Sequence, residues 1–302
     1  GTGAHERQQL ALAHLLDHGN HEVVAVLTRP DAPQGRSSRP VPSTVAQLAA
    51  ERGIEVLRPV RAGAPDLLAR LTELAPDCCP VVAYGGLIPQ RLLEVPSHGW
   101  VNVHFSLLPR WRGAAPVQHA ILAGDVVTGV TVFELVPELD AGPVLATADY
   151  PLGVDETSGE ALAALQSIGA QLLLQTLDGI EAGRIQGLQQ PADGITLAPK
   201  LTAPAARVDW TESAEEIARQ VRANNPSPVA WTLLQGERFR VLRATPVEAA
   251  GLVPGQVQAG KREVLVGTGA GSLRLEQVQP GGRRPLAAAD WARGLRGEAV
   301  FE

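Results

Sequence analysis

The chain has 302 residues, of which 45% are hydrophobic and 19% are charged, and its formal net charge is −6. This composition excludes a disordered or fibrous protein, and no apolar run approaches the ~18–20 residues that span a bilayer. The two cysteines, Cys78 and Cys79, are adjacent and predict no disulfide framework, which favours a cytoplasmic protein.

The first half of the chain alternates helix and strand patterns. In chain order it predicts a helix over 10–16, a strand over 21–27, an exposed loop over 29–42, a helix over 44–50 capped by Ser43, a strand over 54–57, a helix over 65–74, and strands over 79–83, 100–105 and 129–135. Because strands that alternate with helices pair mostly in parallel, we expect a Rossmann-like α/β fold: a mostly parallel sheet with helices on both faces.

The pattern changes after a long predicted helix over 159–177. Residues 187–205 have little periodicity and several prolines, which indicates a linker. A helix over 213–223 and short strands with glycine turns follow, over 231–234, 238–242, 264–266 and 273–278. This pattern predicts a small OB-like β-barrel. The expected organisation is therefore an α/β domain over 1–186, a linker over 187–205 and a barrel domain over 206–302.

The most informative stretch is Asn102-Val-His104. Alternation along a strand puts both polar side chains on one face at its carboxyl end, where open α/β sheets gather ligands. The pair suits acyl chemistry, because an imidazole can move a proton and an amide can donate to a developing oxyanion. Asp140, on a glycine-containing turn after another predicted strand, is the best candidate for the acidic partner of the imidazole. The competing interpretation is a structural histidine.

Other candidate sites are weaker. His14, His18 and His21 have partly helical spacing, but no nearby carboxylate or cysteine completes a set, so we expect no metal site. Ser106 lacks a nucleophile elbow, and the segment 267–271 fits a hairpin turn better than a phosphate loop.

Four motifs together resemble the folate-dependent formyltransferases: Asn102-Val-His104, Ser106-Leu-Leu-Pro109, Trp111-Arg-Gly-Ala-Ala-Pro116 and Leu139-Asp-Ala-Gly-Pro143. Further segments resemble the members of this family that act on initiator tRNA: 23–33, 81–85, 118–121, 198–201, 208–210, 225–226 and 278–280. The resemblance extends over nearly the whole chain. The family opens with a strand before a Gly-Thr-Pro turn, whereas this sequence begins at Gly1-Thr2-Gly3, so we expect a strand before residue 1.

The resemblance implies transfer of a formyl group from 10-formyltetrahydrofolate to the α-amino group of methionine on initiator tRNA. It implies that His104 polarises the formyl oxygen or relays protons, that Asn102 donates to the oxyanion, and that Asp140 holds charge and water in place. We expect a cytoplasmic monomer that uses no metal ion.

The resemblance also implies the binding residues. The expected folate contacts are Ser106, Leu107, Leu108 and Pro109, and the expected pterin slot is Tyr84, Gly85, Gly86, Leu87 and Ile88. Arg110 or Arg112 either meets the anionic folate tail or only solvates the loop. The expected tRNA contacts are Arg36 and Arg39 in the 29–42 loop, Lys200 and Arg207, with further barrel candidates at Arg238, Arg240, Arg283 and Arg284.

Charge supports a polyanion partner for the C-terminal third. Residues 200–302 carry 14 basic and 11 acidic side chains, against 12 and 21 in residues 1–199. The alternatives are a 10-formyltetrahydrofolate hydrolase, a formyltransferase for small amines and a non-catalytic RNA-binding protein. The barrel and the basic loop argue against a small acceptor, and the intact Asn-His-Asp set argues against a pure RNA binder.

Overall fold

The computed structural model describes residues 2–33, 40–84, 87–248, 251–295 and 297–302, with side chains described from Gln8 onward. Its helices are α1 Thr2–His18, α2 Thr44–Glu51, α3 Pro65–Leu74, α4 Gln90–Leu93, α5 Pro116–Ala123, α6 Ser158–Glu181, α7 Ala214–Ala223 and α8 Ala288–Ala292. Its strands are β1 Ala25–Leu27, β2 Ala32–Pro33, β3 Pro40–Val41, β4 Glu55–Leu57, β5 Cys79–Val82, β6 Trp100–His104, β7 Val127–Glu134, β8 Val144–Pro151, β9 Trp231–Leu234, β10 Glu237–Val247, β11 Gln256–Ala259, β12 Val264–Gly267, β13 Ser272–Pro280, β14 Leu286–Ala287 and β15 Ala299–Val300.

The chain forms two compact units, each assembled from three segments. The first unit contains Gly1–Arg112, Gly129–Tyr150 and Ala163–Thr196. The second contains Gly113–Thr128, Pro151–Leu162 and Leu197–Glu302. Among the described helices, none combines the length and the apolar content that crossing a bilayer requires.

The first unit carries the α/β fold that the sequence predicts, with its strands in a four-stranded sheet, β5–β8, and in the separate two-stranded sheets β1–β4 and β2–β3. Strand β1 pairs with β4 in parallel, and β5 pairs with β6 in parallel. Strands β5, β6, β7 and β8 lie in that order, and β7 runs antiparallel to β6. Strand β6 is an inner strand of this sheet. Its Val101 and Val103 are buried, and Asn102 and His104, which alternate with them, lie on the opposite face.

A cavity of about 440 Å³ lies beside β1 and β5, and its lining includes residues 20–27 and 74–82. Strand β1 is shorter than the predicted strand over 21–27, because its parallel ladder to β4 pairs only three residues, Ala25–Leu27. The predicted loop over 29–42 contains the short antiparallel pair of β2 and β3.

The second unit contains the predicted barrel. Its strands lie in the order β15, β11, β12, β13, β10 and β9, and β14 pairs with β13. The bridge between Leu234 and Phe301 joins the two ends of this order, and the Glu302 amide donates to the Leu233 carbonyl at 3.0 Å. The sheet therefore closes on itself. Its core includes Phe239, which packs against Trp291 and Phe301.

Candidate active site

The imidazole of His104 lies at the carboxyl end of β6 and is only 6% exposed. Its Nε2 lies 2.8 Å from the backbone oxygen of Trp111. Because a carbonyl oxygen only accepts, Nε2 carries the hydrogen, and Nδ1 of the neutral ring is left as a proton acceptor. Burial lowers the pKa of His104 from its ordinary value of 6.5, whereas the negative charge of Asp140 and the Trp111 carbonyl act in the opposite direction.

Asp140 follows β7 on a turn and faces the free ring nitrogen. Its Oδ2 lies 3.7 Å from Nδ1 of His104, and its side chain is 12% exposed. This distance is longer than a direct hydrogen bond but short for a buried charge pair. A proton that arrives at Nδ1 therefore meets an opposite charge 3.7 Å away, between two largely buried side chains.

Asn102 lies two residues before His104 on β6 and is half-buried. Strand alternation places the two side chains on the same face. Within the described part of the chain, no group hydrogen-bonds to the Asn102 side chain. Its amide hydrogens are therefore available to a substrate oxygen.

The Asp140 turn approaches the end of β7 so closely that one position requires glycine. A Cβ on Gly142 would lie 1.7 Å from the Glu134 oxygen. The Glu134 amide donates to the Pro143 carbonyl at 2.9 Å, which fixes the returning chain against β7. Asp140 itself has a positive φ of 48°, an uncommon conformation for a residue with a side chain.

Two residues that hold this site, Gln190 and Thr196, were not among the predicted site residues. Nε2 of Gln190 donates to the carbonyls of Asp140 and Gly142, at 2.8 Å each. The Thr196 hydroxyl accepts from the Trp111 amide at 2.8 Å. Both residues belong to the predicted linker over 187–205, where the lack of periodicity gave no signal. In the structure, residues 188–196 run beside the site and bond to it.

The predicted folate-binding stretch over 106–109 follows β6 directly. Ser106 is fully buried and its hydroxyl donates to the Arg110 carbonyl at 2.6 Å. The Leu108 amide donates to the Thr131 hydroxyl at 3.1 Å, while Leu107 and Pro109 are half-buried. The serine hydroxyl is thus engaged inside the protein, and the half-buried members of the stretch offer surface to a ligand.

The predicted pterin slot is described at three of its five positions. Tyr84 and Ile88 pack, partly buried, against the cluster that contains Leu92 and Trp100, and burial raises the pKa of Tyr84. Leu87 is 86% exposed. The remaining positions, Gly85 and Gly86, lie outside the described residues.

Two of the four predicted tRNA contacts, Lys200 and Arg207, lie among the described residues. Lys200 and Arg207 are exposed in the second unit. The guanidinium of Arg207 lies 5.7 Å from the ring centre of Trp231, and that of Arg238 lies 4.0 Å from it. Arg36 and Arg39 lie outside the described residues.

The surroundings of His21 and of the two cysteines bear on other possible sites in the chain. No carboxylate was expected near His21, which was wrong: Asp178 lies 3.0 Å from its Nε2 and Glu181 lies 3.8 Å from its Nδ1. One ring nitrogen of His21 and one carboxylate oxygen from each of Asp178 and Glu181 lie within 4.8 Å of one another. Cys78 and Cys79 are free thiols, and burial raises their pKa to about 11 and about 12, which disfavours nucleophilic roles.

Comparison with known families covers most of the chain. Residues 1–177 match the formyl transferase family, and residues 200–296 match the formyl transferase C-terminal domain. With the α/β sheet, the closed barrel and the His104–Asp140 pair, these matches define the class of the protein as a formyl transferase.

Curated relatives narrow the class. The chain is 53% identical to the methionyl-tRNA formyltransferase of Streptomyces avermitilis, over 95% of this chain and 93% of that protein. It is 51% identical to the methionyl-tRNA formyltransferase of a Mycobacterium species, over 99% and 97%. The chain belongs to the methionyl-tRNA formyltransferase family.

A solved structure shows a similar fold. HypX from Aquifex aeolicus in complex with tetrahydrofolic acid is 25% identical to this chain, with a TM-score of 0.57. The match covers 80% of this chain and 43% of that longer protein.

Proposed function

We propose that the chain transfers the formyl group of 10-formyltetrahydrofolate to the α-amino group of methionyl initiator tRNA, as a cytoplasmic monomer that needs no metal ion. The observation that carries the proposal is the buried His104–Asp140 pair, on a strand whose same face carries the available amide of Asn102. The names of the curated relatives support the acceptor, and the folate complex of the HypX neighbour supports the class of donor.

The geometry favours direct attack of the amine through a tetrahedral intermediate. As the amine nitrogen bonds to the formyl carbon, the carbonyl oxygen gains negative charge, and the Asn102 amide donates to it. Nδ1 of His104 takes the proton from the amine, and the charge of Asp140 stabilises the imidazolium. The proton then passes to N10 of the folate as its bond to carbon breaks, so the proton count is unchanged.

We assign the donor to the surface formed by the 106–109 stretch and the 84–88 turn. The exposed side chain of Leu87 and the half-buried Tyr84 and Ile88 supply apolar surface, which a flat pterin ring requires. Gly85 and Gly86 belong to the same assignment. Arg112 is bound to Gln190 at 2.7 Å through its Nη2, which favours a role inside the protein over a contact with the folate tail.

We assign the tRNA contacts to Lys200, Arg207, Arg36 and Arg39, with catalysis in residues 1–186 and tRNA contact in residues 206–302. Exposed guanidinium groups beside an aromatic ring, such as Arg207 beside Trp231, suit contact with phosphates. Such contacts give affinity and salt dependence without reading sequence.

The test is a formylation assay with 10-formyltetrahydrofolate and charged initiator tRNA, with blocked amino groups as the readout. Changing Asn102, His104 or Asp140 to alanine should each lower turnover about a hundredfold or more with folding intact, because one oxyanion donor alone is worth ~3–4 kcal/mol. The exposed His98 is the control, and His98→Ala should keep wild-type turnover.

Three outcomes would contradict the proposal. Normal turnover in His104→Ala removes the assigned catalytic residue. Loss of the formyl group from the donor without tRNA indicates a hydrolase. Absence of a thermal shift with a folate analogue indicates an RNA-binding protein without formyl transfer.

A further inference from the structure

Two residues beside the candidate site hold an uncommon backbone conformation. Trp111 has a φ of 61° and Asp140 a φ of 48°, and neither is glycine. Such conformations are unfavourable for a residue with a side chain and persist where surrounding contacts hold them. Both residues bear on His104, since the Trp111 carbonyl accepts from Nε2 and the Asp140 carboxyl faces Nδ1.

Both residues are held by one segment, residues 188–196. The segment is anchored at its start by a two-way backbone pairing of Leu188 with Val144, at 2.7 and 2.8 Å. At its end, Thr196 accepts from the Trp111 amide through its hydroxyl and from the Arg112 amide through its carbonyl, at 2.8 and 2.9 Å. Between these anchors, Gln190 bonds to the Asp140 carbonyl.

The orientation of the Gln190 amide follows from its partners. Its Oε1 receives Nε and Nη2 of Arg112, at 3.1 and 2.7 Å. A guanidinium only donates, so the amide oxygen must face Arg112 and the NH₂ group must face the carbonyls of Asp140 and Gly142. Arg112 therefore sets the orientation that lets Gln190 hold the Asp140 turn.

We propose that Gln190, oriented by Arg112, is a positioning residue that fixes the main chain at Asp140 and thereby the distance from its carboxyl to His104. Thr196 fixes the main chain at Trp111 and thereby the position of the carbonyl that accepts from Nε2 of His104. The inference rests on the proposed function, because it gives these contacts a role in formyl transfer. It gives residues 188–196, which belong to the predicted linker over 187–205, a part in the catalytic scaffold.

The test uses two substitutions at Gln190, to Glu and to Ala, and a control substitution to Glu at its exposed neighbour, Gln189. Gln190→Glu keeps an acceptor for Arg112 but loses both donations to the turn, and Gln190→Ala loses all four contacts. Gln189→Glu is the matched control, since Gln189 is exposed and receives the same added charge. We expect kcat to fall at least tenfold in both Gln190 variants, with the KM for each substrate within about twofold of wild type.

A second readout does not depend on formyl transfer. In Gln190→Ala, the Asp140 charge is no longer held near Nδ1, so the titration midpoint of the His104 imidazole, followed by NMR without substrates, should fall by about half a pH unit or more. Gln189→Glu should leave it unchanged. A purely structural role would lower the melting temperature without moving either this midpoint or kcat.

The outcomes distinguish failure of the proposed function from failure of the positioning role of Gln190. If the wild-type chain forms no formyl-methionyl-tRNA, the proposed function fails, while the His104 titration still decides the role of Gln190. If Gln190→Ala folds and keeps both kcat and the midpoint, the positioning role is overturned. If Gln190→Ala does not fold, the kcat of Gln190→Glu, whose bond to Arg112 is kept, decides it.

Discussion

A buried imidazole with one ring nitrogen bonded to a carbonyl has a single site left for a proton. In His104 that site is Nδ1, and the group that faces it is Asp140. Burial and the carboxyl group act on the pKa of His104 in opposite directions, and burial has the larger effect. The ring is therefore neutral at pH 7 and becomes a proton acceptor, while the carboxyl group keeps the protonated form accessible.

The direction of the His104 pKa shift predicts how the rate of formyl transfer falls at acid pH. The active form has an unprotonated Nδ1, and the pKa of His104 in the free folded chain lies below its ordinary 6.5, so kcat/KM should fall as pH drops through a midpoint below 6.5. Asp140→Asn removes the charge that raises this pKa, so the midpoint should move lower still. Values of kcat/KM for formylation across pH 5–8 measure both midpoints, with His98→Gln as the control. A midpoint above 6.5, or one that rises in Asp140→Asn, would refute this assignment.

At the scale of the element, the Asp140 turn depends on close approach to β7. Any side chain at Gly142 would place its Cβ 1.7 Å from the Glu134 oxygen, so the backbone of the turn must move. Gly142→Ala should lower the free energy of unfolding by about 1–3 kcal/mol and lower kcat at least tenfold, because the shift moves Asp140.

The control for this change is Gly63→Ala. The nearest atom to an added Cβ there is Nη2 of Arg91 at 3.4 Å, an ordinary contact, and Gly63 has no positive φ. Denaturant unfolding and the formylation assay measure both variants. A Gly142→Ala protein with the stability and kcat of Gly63→Ala would show that the turn tolerates the displacement.

Hydrophobic spacing and capping residues predicted the helices and strands whose sequence pattern lies within their own residues. Helix α3 has the predicted bounds, 65–74, and buries Leu67 and Leu71 at helical spacing. Helix α7, predicted over 213–223, spans Ala214–Ala223 and begins after Ser213, which forms a capping box with Glu216. Strand β9 has the predicted bounds as well. These elements needed no knowledge of distant residues.

The elements that the sequence analysis missed depend on distant partners. Strand β8 lies at the end of its sheet, and its mixed exposure gives no run of apolar residues. Helix α5 is a short helix of eight residues that was not predicted. Gln190 and Thr196 bond to residues 50 and 85 positions away, so no local rule could connect them to the site. By contrast, alternation on β6 and the resemblance named Asn102, His104 and Asp140 as candidates, and the structure places Oδ2 of Asp140 3.7 Å from Nδ1 of His104.

At the scale of the whole molecule, the candidate chemistry and the basic surface belong to different units. Asn102, His104 and Asp140 lie in the first unit, whereas Lys200 and Arg207 lie in the second. The acidic excess of residues 1–199 and the basic excess of residues 200–302 follow the same division along most of the chain. Affinity for a polyanion and formyl-transfer chemistry should therefore respond separately to mutation.

This separation predicts the salt dependence of tRNA binding. Lys200→Ala and Arg207→Ala should each weaken binding of initiator tRNA and reduce the slope of log Kd against log salt by about 0.7–0.9, the loss expected for one phosphate contact. The thermal shift with a folate analogue should stay at its wild-type value, because the donor is assigned to the first unit.

Lys261, an exposed residue in the turn between β11 and β12 and the second of the two lysines, is the matched control. If Lys261→Ala changes the slope as much as Lys200→Ala does, the basic charge acts diffusely and Lys200 is not a specific contact. If either variant loses the folate shift while its tRNA binding is unchanged, the division of roles between the units is wrong.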